Sequence, residues 1–482
     1  MHRAALIMPL AAAALVGCDL TAKTPVDSDD PLVIDTNAQW PEGSDTTLTE
    51  DELAPVEGVE ASLNPQIPSL IYVSWNQLEG STVWVEFSFD ADEWHSTPVE
   101  VVAAGEQEHL LLGAPFAWTV NYRIANDLDG DGADILYSET YTTSTGALPI
   151  GLPEPNVLIN DPTGQDPTDR YLYSSINEDD GGWTGGTYWQ FIMDRKGRVV
   201  WALDTPDKHW TIYVRVAEDG EHLLFDEATY WVDYVGADSK VHKMKIDGTI
   251  VESFDTPYLH HAFTEFPDGT IVWGAAVDVS ETLEKLNPDG TQETIWDCTE
   301  FHADNGINDY CQSNALFWDE ATDTFLYSFY TTSLVAHIDH ETGDTLAWWG
   351  DISDWEFDPT DSAFDWQHGA TFTDEGNLLL STHTSTKTTE CATREYSVDA
   401  KTETLVEQWS YGIGEGLYCS TAGEAHRLSN GNTLHNLGSG ARTREITPDG
   451  DLVWDVSWRD GQTSGRLQGR SVFIEDLYAF AP

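Results

Sequence analysis

Basic residues are scarce in this 482-residue chain: 22 Lys plus Arg stand against 84 Asp plus Glu, a formal net charge of −62. Such a surface repels nucleic acid and anionic lipid headgroups, which excludes both as partners. It suits a salty medium, where self-repulsion is screened. An anionic substrate would need a local pocket of positive or hydrogen-bonding groups. Cysteine is rare too, with five residues, and neither a Cys-x-x-Cys pair nor a His-rich metal spacing is present. After the first twenty residues no apolar run is long enough to cross a bilayer.

Those first residues read as a targeting segment. Arg3 is followed by an apolar stretch, Ala4 to Val16, and then by Leu15-Val16-Gly17-Cys18. The element resembles a bacterial lipobox, so residues 1–18 are expected to be a lipoprotein signal with Cys18 as the lipidated N-terminus. An ordinary secretory signal with a chance Cys is the alternative. The expected location is the bacterial cell envelope, with a lipid anchor as the membrane contact. The other four cysteines, Cys298, Cys311, Cys391 and Cys419, are even in number, as disulfides in an exported chain require. Nearest neighbours give Cys298–Cys311 and Cys391–Cys419, and two other pairings stay open.

Residues 19–62 are rich in Asp, Glu, Thr and Pro without periodicity, which predicts an acidic disordered tether. Over residues 63–148 the pattern changes. Val83 to Phe89, Trp118 to Ile124 and Tyr137 to Thr143 alternate with period two between turn residues. That predicts a small β-sandwich of immunoglobulin or fibronectin type III kind. Asp127, Asp129 and Asp131 alternate with Gly as in a calcium loop, but Ser138 stands where a twelve-residue loop places its bidentate Glu. A polar hairpin loop is the alternative.

Residues 153–482 carry a recurring hairpin. His261 stands eight residues before Gly269, His368 eight before Gly376, and Gly423 eight before Gly431. Each copy reads as strand, Asx/Glu-Gly turn, strand. Further turns lie at Asp194-Arg-Lys-Gly, Asp247-Gly, Asp289-Gly, Asp339 to Gly343, Asp399 to Thr402 and Asp449-Gly. These six turn-centred units predict an all-β protein: a six-bladed β-propeller preceded by the sandwich, with Ser471 to Ile474 completing a blade. Equivalent positions of different blades converge on the central channel, so His261 and His368 are expected to face one pocket.

From about Trp183 to Trp458 the chain resembles bacterial aryl sulfotransferases that use a phenolic sulfate as donor. The likeness rests on His260-His-Ala-Phe, Asp309-Tyr-Cys-Gln-Ser-Asn, Trp366-Gln-His-Gly-Ala, Arg427-Leu-Ser-Asn-Gly-Asn and Arg444-Glu-Ile-Thr-Pro-Asp-Gly. It implies transfer of a sulfuryl group to a phenol through a sulfo-histidine, with phenolic sulfates and phenols as small-molecule partners and no required cofactor. His368 falls on the nucleophile, and His260 and His261 on the catalytic His-His element. Gln312, Asn314 and Tyr330 fall on the substrate-binding positions. Two depart from the family: Gln312 replaces a His and Tyr330 an Arg. Both can still donate hydrogen bonds, but neither brings charge. A non-catalytic envelope binding module is the rival reading, and a quinone-dependent dehydrogenase, prompted by Glu341 to Trp348, ranks below both. His426 and His435 are read as structural, and Arg394, Arg427 and Arg444 as paired with Glu395, Glu424 and Glu445. The sequence carries no signal for an oligomeric state.

Overall fold

The computed structural model describes residues 53–481 apart from 91–92, 131, 180–185, 278–279, 386–387 and 459–465. The signal segment, Cys18 and most of the tether lie outside the described residues. Ordered chain starts sooner than expected, because Val56–Leu63 is already a strand.

That strand joins Ile71–Gln77 and Gly105–Leu111 in one sheet of the sandwich. The other sheet is built on Ser81–Asp90 and Thr119–Asp127, flanked by Glu93–Ser96, Glu100–Val102, Ile135–Tyr137 and Tyr141–Ser144. Alternation puts Ile71, Val73, Trp75, Val83, Val85, Phe87, Val120, Tyr122 and Ile124 into one core. The strand expected from Tyr137 to Thr143 is split. Both pieces pair with Thr119–Asp127. At the break Ser138 Oγ accepts the Ile124 amide, 2.8 Å away, where a ladder carbonyl would otherwise stand.

Six sheets of four or five strands follow, one per blade, antiparallel throughout except for the outermost strand of blade 5, Glu356–Asp358, which pairs parallel with Thr404–Tyr411. Blade 1 contains Tyr171–Asn177, Tyr188–Asp194 and Val199–Asp204; its inner strand is Gln468–Ile474, from the far end of the chain. Blades 2, 3 and 4 each run outward in chain order from inner strands Val214–Val216, Leu259–Glu265 and Ser313–Asp319. Blades 5 and 6 do the same from Asp365–Phe372 and Glu424–Arg427 and carry a fifth, outermost strand. In blade 6 that strand is Asn156–Asn160, which precedes all of blade 1. The ring is therefore closed twice, on its outer rim by an early strand and on its inner rim by a late one. Gly469 in the closing strand has to be glycine, since a Cβ there would meet Ile212 O and Ser175 Oγ, each at 2.2 Å.

The sandwich is packed on the propeller. Ile67, Leu70, Leu110 and Leu112 share a core cluster with Trp201, Phe225, Ile246 and Phe480. Asp90 reaches Arg198 at 3.0 Å and Lys196 at 3.2 Å.

The expected ion pairs between sequence neighbours are not the ones formed. Arg394 pairs with Glu407, Arg427 with Glu395, and Arg444 with Glu415. Arg394 finds its carboxylate on the next strand of its own blade, whereas Arg427 and Arg444 of blade 6 reach back to blade 5 and to the connection that leaves it.

Candidate active site

The first residues of three inner strands build a cavity of about 240 Å³ at one end of the channel. His261 comes from blade 3, Asn314 from blade 4 with Gln312 just before it, and His368 from blade 5. Ser313 lines it beside Asn314, and Tyr330, Trp231 and Thr421 add to the lining from connections between strands. The two histidines set eight residues before a turn glycine thus do meet in one pocket, with the three expected binding positions around them.

Local backbone geometry turns the imidazoles inward. His261 has φ 74° and lies in a bulge where the ladder with the next strand is interrupted. Gly369, just after His368, has φ 59°, and a Cβ there would meet Arg470 Nη1 at 2.5 Å. His260, expected among the catalytic groups, does not line the cavity. It is 1% exposed and holds Nδ1 2.8 Å from Glu281 Oε1. Its ring packs on His261 with centroids 4.2 Å apart, so it supports that ring from behind.

His368 Nδ1 lies 3.0 Å from the Trp366 carbonyl, which fixes the proton on Nδ1 and leaves the Nε2 lone pair available. Burial first, then Arg470 and His383, pulls the His368 pKa down to about 3. His261 is held well below the ordinary histidine range by burial, with His260, His368 and Arg470 adding to it. Both imidazoles are therefore neutral near pH 7. Tyr330 is pushed up, by burial and then by Tyr310 and Asp365, so its hydroxyl keeps its proton as a donor. The Asn314 side-chain amide donates to Gln367 O at 2.6 Å. Gln367 itself is structural, its amide donating to Ser328 Oγ, Phe329 O and Leu334 O.

The walls are aromatic. Trp231, on the short helix Tyr230–Asp233, meets the His261 ring edge-on at 5.0 Å, and Tyr330 lies 5.4 Å from Trp366 and 6.3 Å from His368. A planar ring entering between Trp231 and Tyr330 would find π faces on both sides.

One buried cation was not anticipated. Arg470, on the closing strand, pairs with Glu424 Oε2 at 2.9 Å and acts on both His261 and His368. Burial opposes its charge, but Glu424 beside it more than offsets this and raises its pKa. Burial likewise opposes ionisation of Glu424, yet His426 and Arg470 hold that carboxyl down at about 2. His426 bonds Glu424 and His435 bonds Ser381 Oγ, so both serve the framework.

Two disulfides, Cys298–Cys311 and Cys391–Cys419, brace loops of the cavity face. Cys311 adjoins Gln312, and Cys419 is two residues before Thr421. Among the described residues, the two clusters of metal-ligating type are these same cysteines with His302 or His383 beside them; as disulfides they offer no thiolate. In the suggested calcium loop, Asp127 accepts the amides of Gly130 and Gly132 at 2.9 and 2.8 Å, and Asp131 lies outside the described residues. Replacing Cys391 and Cys419 by Ser should cost about 3–4 kcal/mol, as expected for freeing a loop of this length. Denaturant titration of the variant against the oxidised protein reads this, and an unchanged midpoint would contradict it.

Residues 277–459 match the model of the arylsulfotransferase (ASST) family. No curated protein matches the chain. Among solved structures, a Bacteroides caccae protein of unknown function is 14% identical, covering 59% of this chain and 93% of its own, with a TM-score of 0.41. A catalytically inactive virginiamycin B lyase from Staphylococcus aureus, solved with quinupristin, is 12% identical over 65% of this chain and 91% of that one, TM-score 0.39. A Lactobacillus plantarum protein is 11% identical over 77% and 94%, TM-score 0.37.

Proposed function

We propose that this protein is an aryl-sulfate sulfotransferase of the cell envelope, anchored through Cys18, that works through a sulfo-histidine on His368. The observation that carries the reading is the state of His368: a neutral ring at the cavity wall, with Nδ1–H given to Trp366 O. In the first half-reaction the Nε2 lone pair attacks the ester sulfur. The sulfur–aryl oxygen bond breaks, its electron pair goes to oxygen, and a phenolate leaves. In the second, a phenol oxygen attacks the same sulfur, the nitrogen–sulfur bond breaks, and the electron pair returns to Nε2. The acceptor's proton leaves to water.

Charge develops on the sulfuryl and leaving oxygens, so donors must already face them. Gln312, Tyr330 and His261 line the cavity and can donate here, and Arg470 adds a positive field felt at His368. The aryl group would lie between Trp231 and Tyr330. No step needs a metal or other cofactor.

The test is incubation with an aryl sulfate that releases a coloured phenol, with and without a phenol acceptor. Because the His368 pKa is lowered to about 3, its nucleophilic form persists into acid. The acid limb of kcat/KM should therefore lie far below pH 6.5, leaving turnover level between pH 5 and 7. A limb at the ordinary histidine value would contradict the account.

A binding module remains the second reading, favoured by one observation: among the described residues, no charged side chain lines the cavity. Absence of phenol release across several donors, with retained binding of an aryl sulfate, would select it.

A further inference from the structure

Farther along the inner strands a second cavity opens, about 400 Å³ in volume, that shares no lining residue with the first. Val214–Val216 of blade 2, His426 and Arg427 of blade 6 and Ser471–Phe473 of the closing strand surround it. Its charged groups are Arg215, Arg427 and Arg470 together with Asp169, Glu424 and His426. Arg427 is turned to Glu395, and Arg470 and His426 share Glu424. Arg215 differs: its hydrogen bonds go to neutral acceptors, Thr264 Oγ1 at 3.0 Å and Phe263 O at 3.4 Å. Glu218 feels its charge, but among the described residues it is not paired with Arg215.

A half-buried guanidinium whose hydrogen bonds go to a hydroxyl and a carbonyl, with no carboxylate bound to it among the described residues, keeps an attraction for an anion. Around it, Tyr213, Phe317, Phe473 and Val472 supply apolar wall. The volume falls within the range of small-molecule sites. An anionic head on an apolar body matches both features, since three arginines outnumber the two carboxylates, Asp169 and Glu424, that line the cavity.

We propose that this second cavity is a binding site for a small aromatic anion, a sulfonate, sulfate ester or carboxylate, whose head is held by Arg215. It is separate from the His368 cavity and does not depend on catalysis there.

The probe is 2-naphthalenesulfonate, which carries no transferable sulfuryl ester, titrated calorimetrically into the full chain. Arg215→Gln should weaken this binding about tenfold or more, as loss of a charge-assisted hydrogen bond predicts. Arg215→Lys, which keeps the charge, should retain more affinity than the Gln variant and guards against a folding artefact. Tyr330→Ala, in the first cavity, should leave the affinity in place. Binding that ignores Arg215→Gln, binding abolished by Tyr330→Ala, or no binding to the unaltered chain would each overturn the proposal.

Discussion

Replacing His368 by Ala should abolish phenol release and leave no covalent intermediate. The loss should be at least ~10³-fold, since removing a nucleophile takes away the step that the other groups only assist. The direct readout is a quench of the protein with an aryl sulfate, followed by peptide mapping of the added SO₃. The label should sit on His368 and be missing from the variant. Label on His261 would move the nucleophile to blade 3 and reverse the roles of the two rings. The geometry argues against that: His368 has the pinned Nδ1, whereas His261 is wedged between His260 and Trp231.

Arg470→Met should be the most destabilising single change near the site, at about 3–5 kcal/mol. The reason lies in Glu424, 1% exposed, which would keep a buried charge without its arginine, beside His426, Asn436 and the Ser471 amide. Adding Glu424→Gln should recover a large part of the loss, because a neutral amide can still accept the Ser471 amide that Glu424 now holds. A double variant no better than Arg470→Met alone would contradict this. The pH dependence of the pair has a definite sign. The Glu424 pKa is depressed to about 2 from its usual 4.5, so its stabilisation is full above the unfolded value and fades as pH falls toward about 2. The buried neutral histidines act over a higher window. His368 and His435, each at about 3 when folded, are charged below pH 6.5 only in the unfolded chain, so their contribution to stability already declines between pH 6.5 and 3. Glu424→Gln should remove the lower part of the acid transition and leave the upper part.

How much could be read from the chain depended on the range of the interaction. The hairpins were legible because an Asp-Gly turn and its flanking alternation are local, and the six outer turns all lie between the third and fourth strands of a blade. The convergence of His261 and His368 was legible as well, since a shared spacing to a turn glycine fixes the same height on two inner strands. Gln312, Asn314 and Tyr330 followed from the resemblance. Arg470 gave no such sign. It is one Arg in Gln468-Gly-Arg-Ser, and its partner Glu424 and the rings it influences belong to blades made earlier. Trp231 was hidden for another reason: twenty tryptophans in the chain read as core, and this one is on a single-turn helix that leaves a face in the cavity. His260 misled because two adjacent histidines look like a pair, while only His261 lines the cavity and His260 is buried against Glu281 behind it.

The doubly closed ring also sets a timetable. Asn156–Asn160 must wait for Leu452–Ser457, and Tyr171–Asn177 for Gln468–Ile474, so the earliest and latest strands of the propeller are obligate neighbours. Pairings of such separation form slowly, and until they form the edges of blades 1 and 6 are open to other chains. Arg470 arrives with the last of these strands. The cation beside His261 and His368 is thus absent until the ring is shut, and a partly made chain carries those two rings without its field.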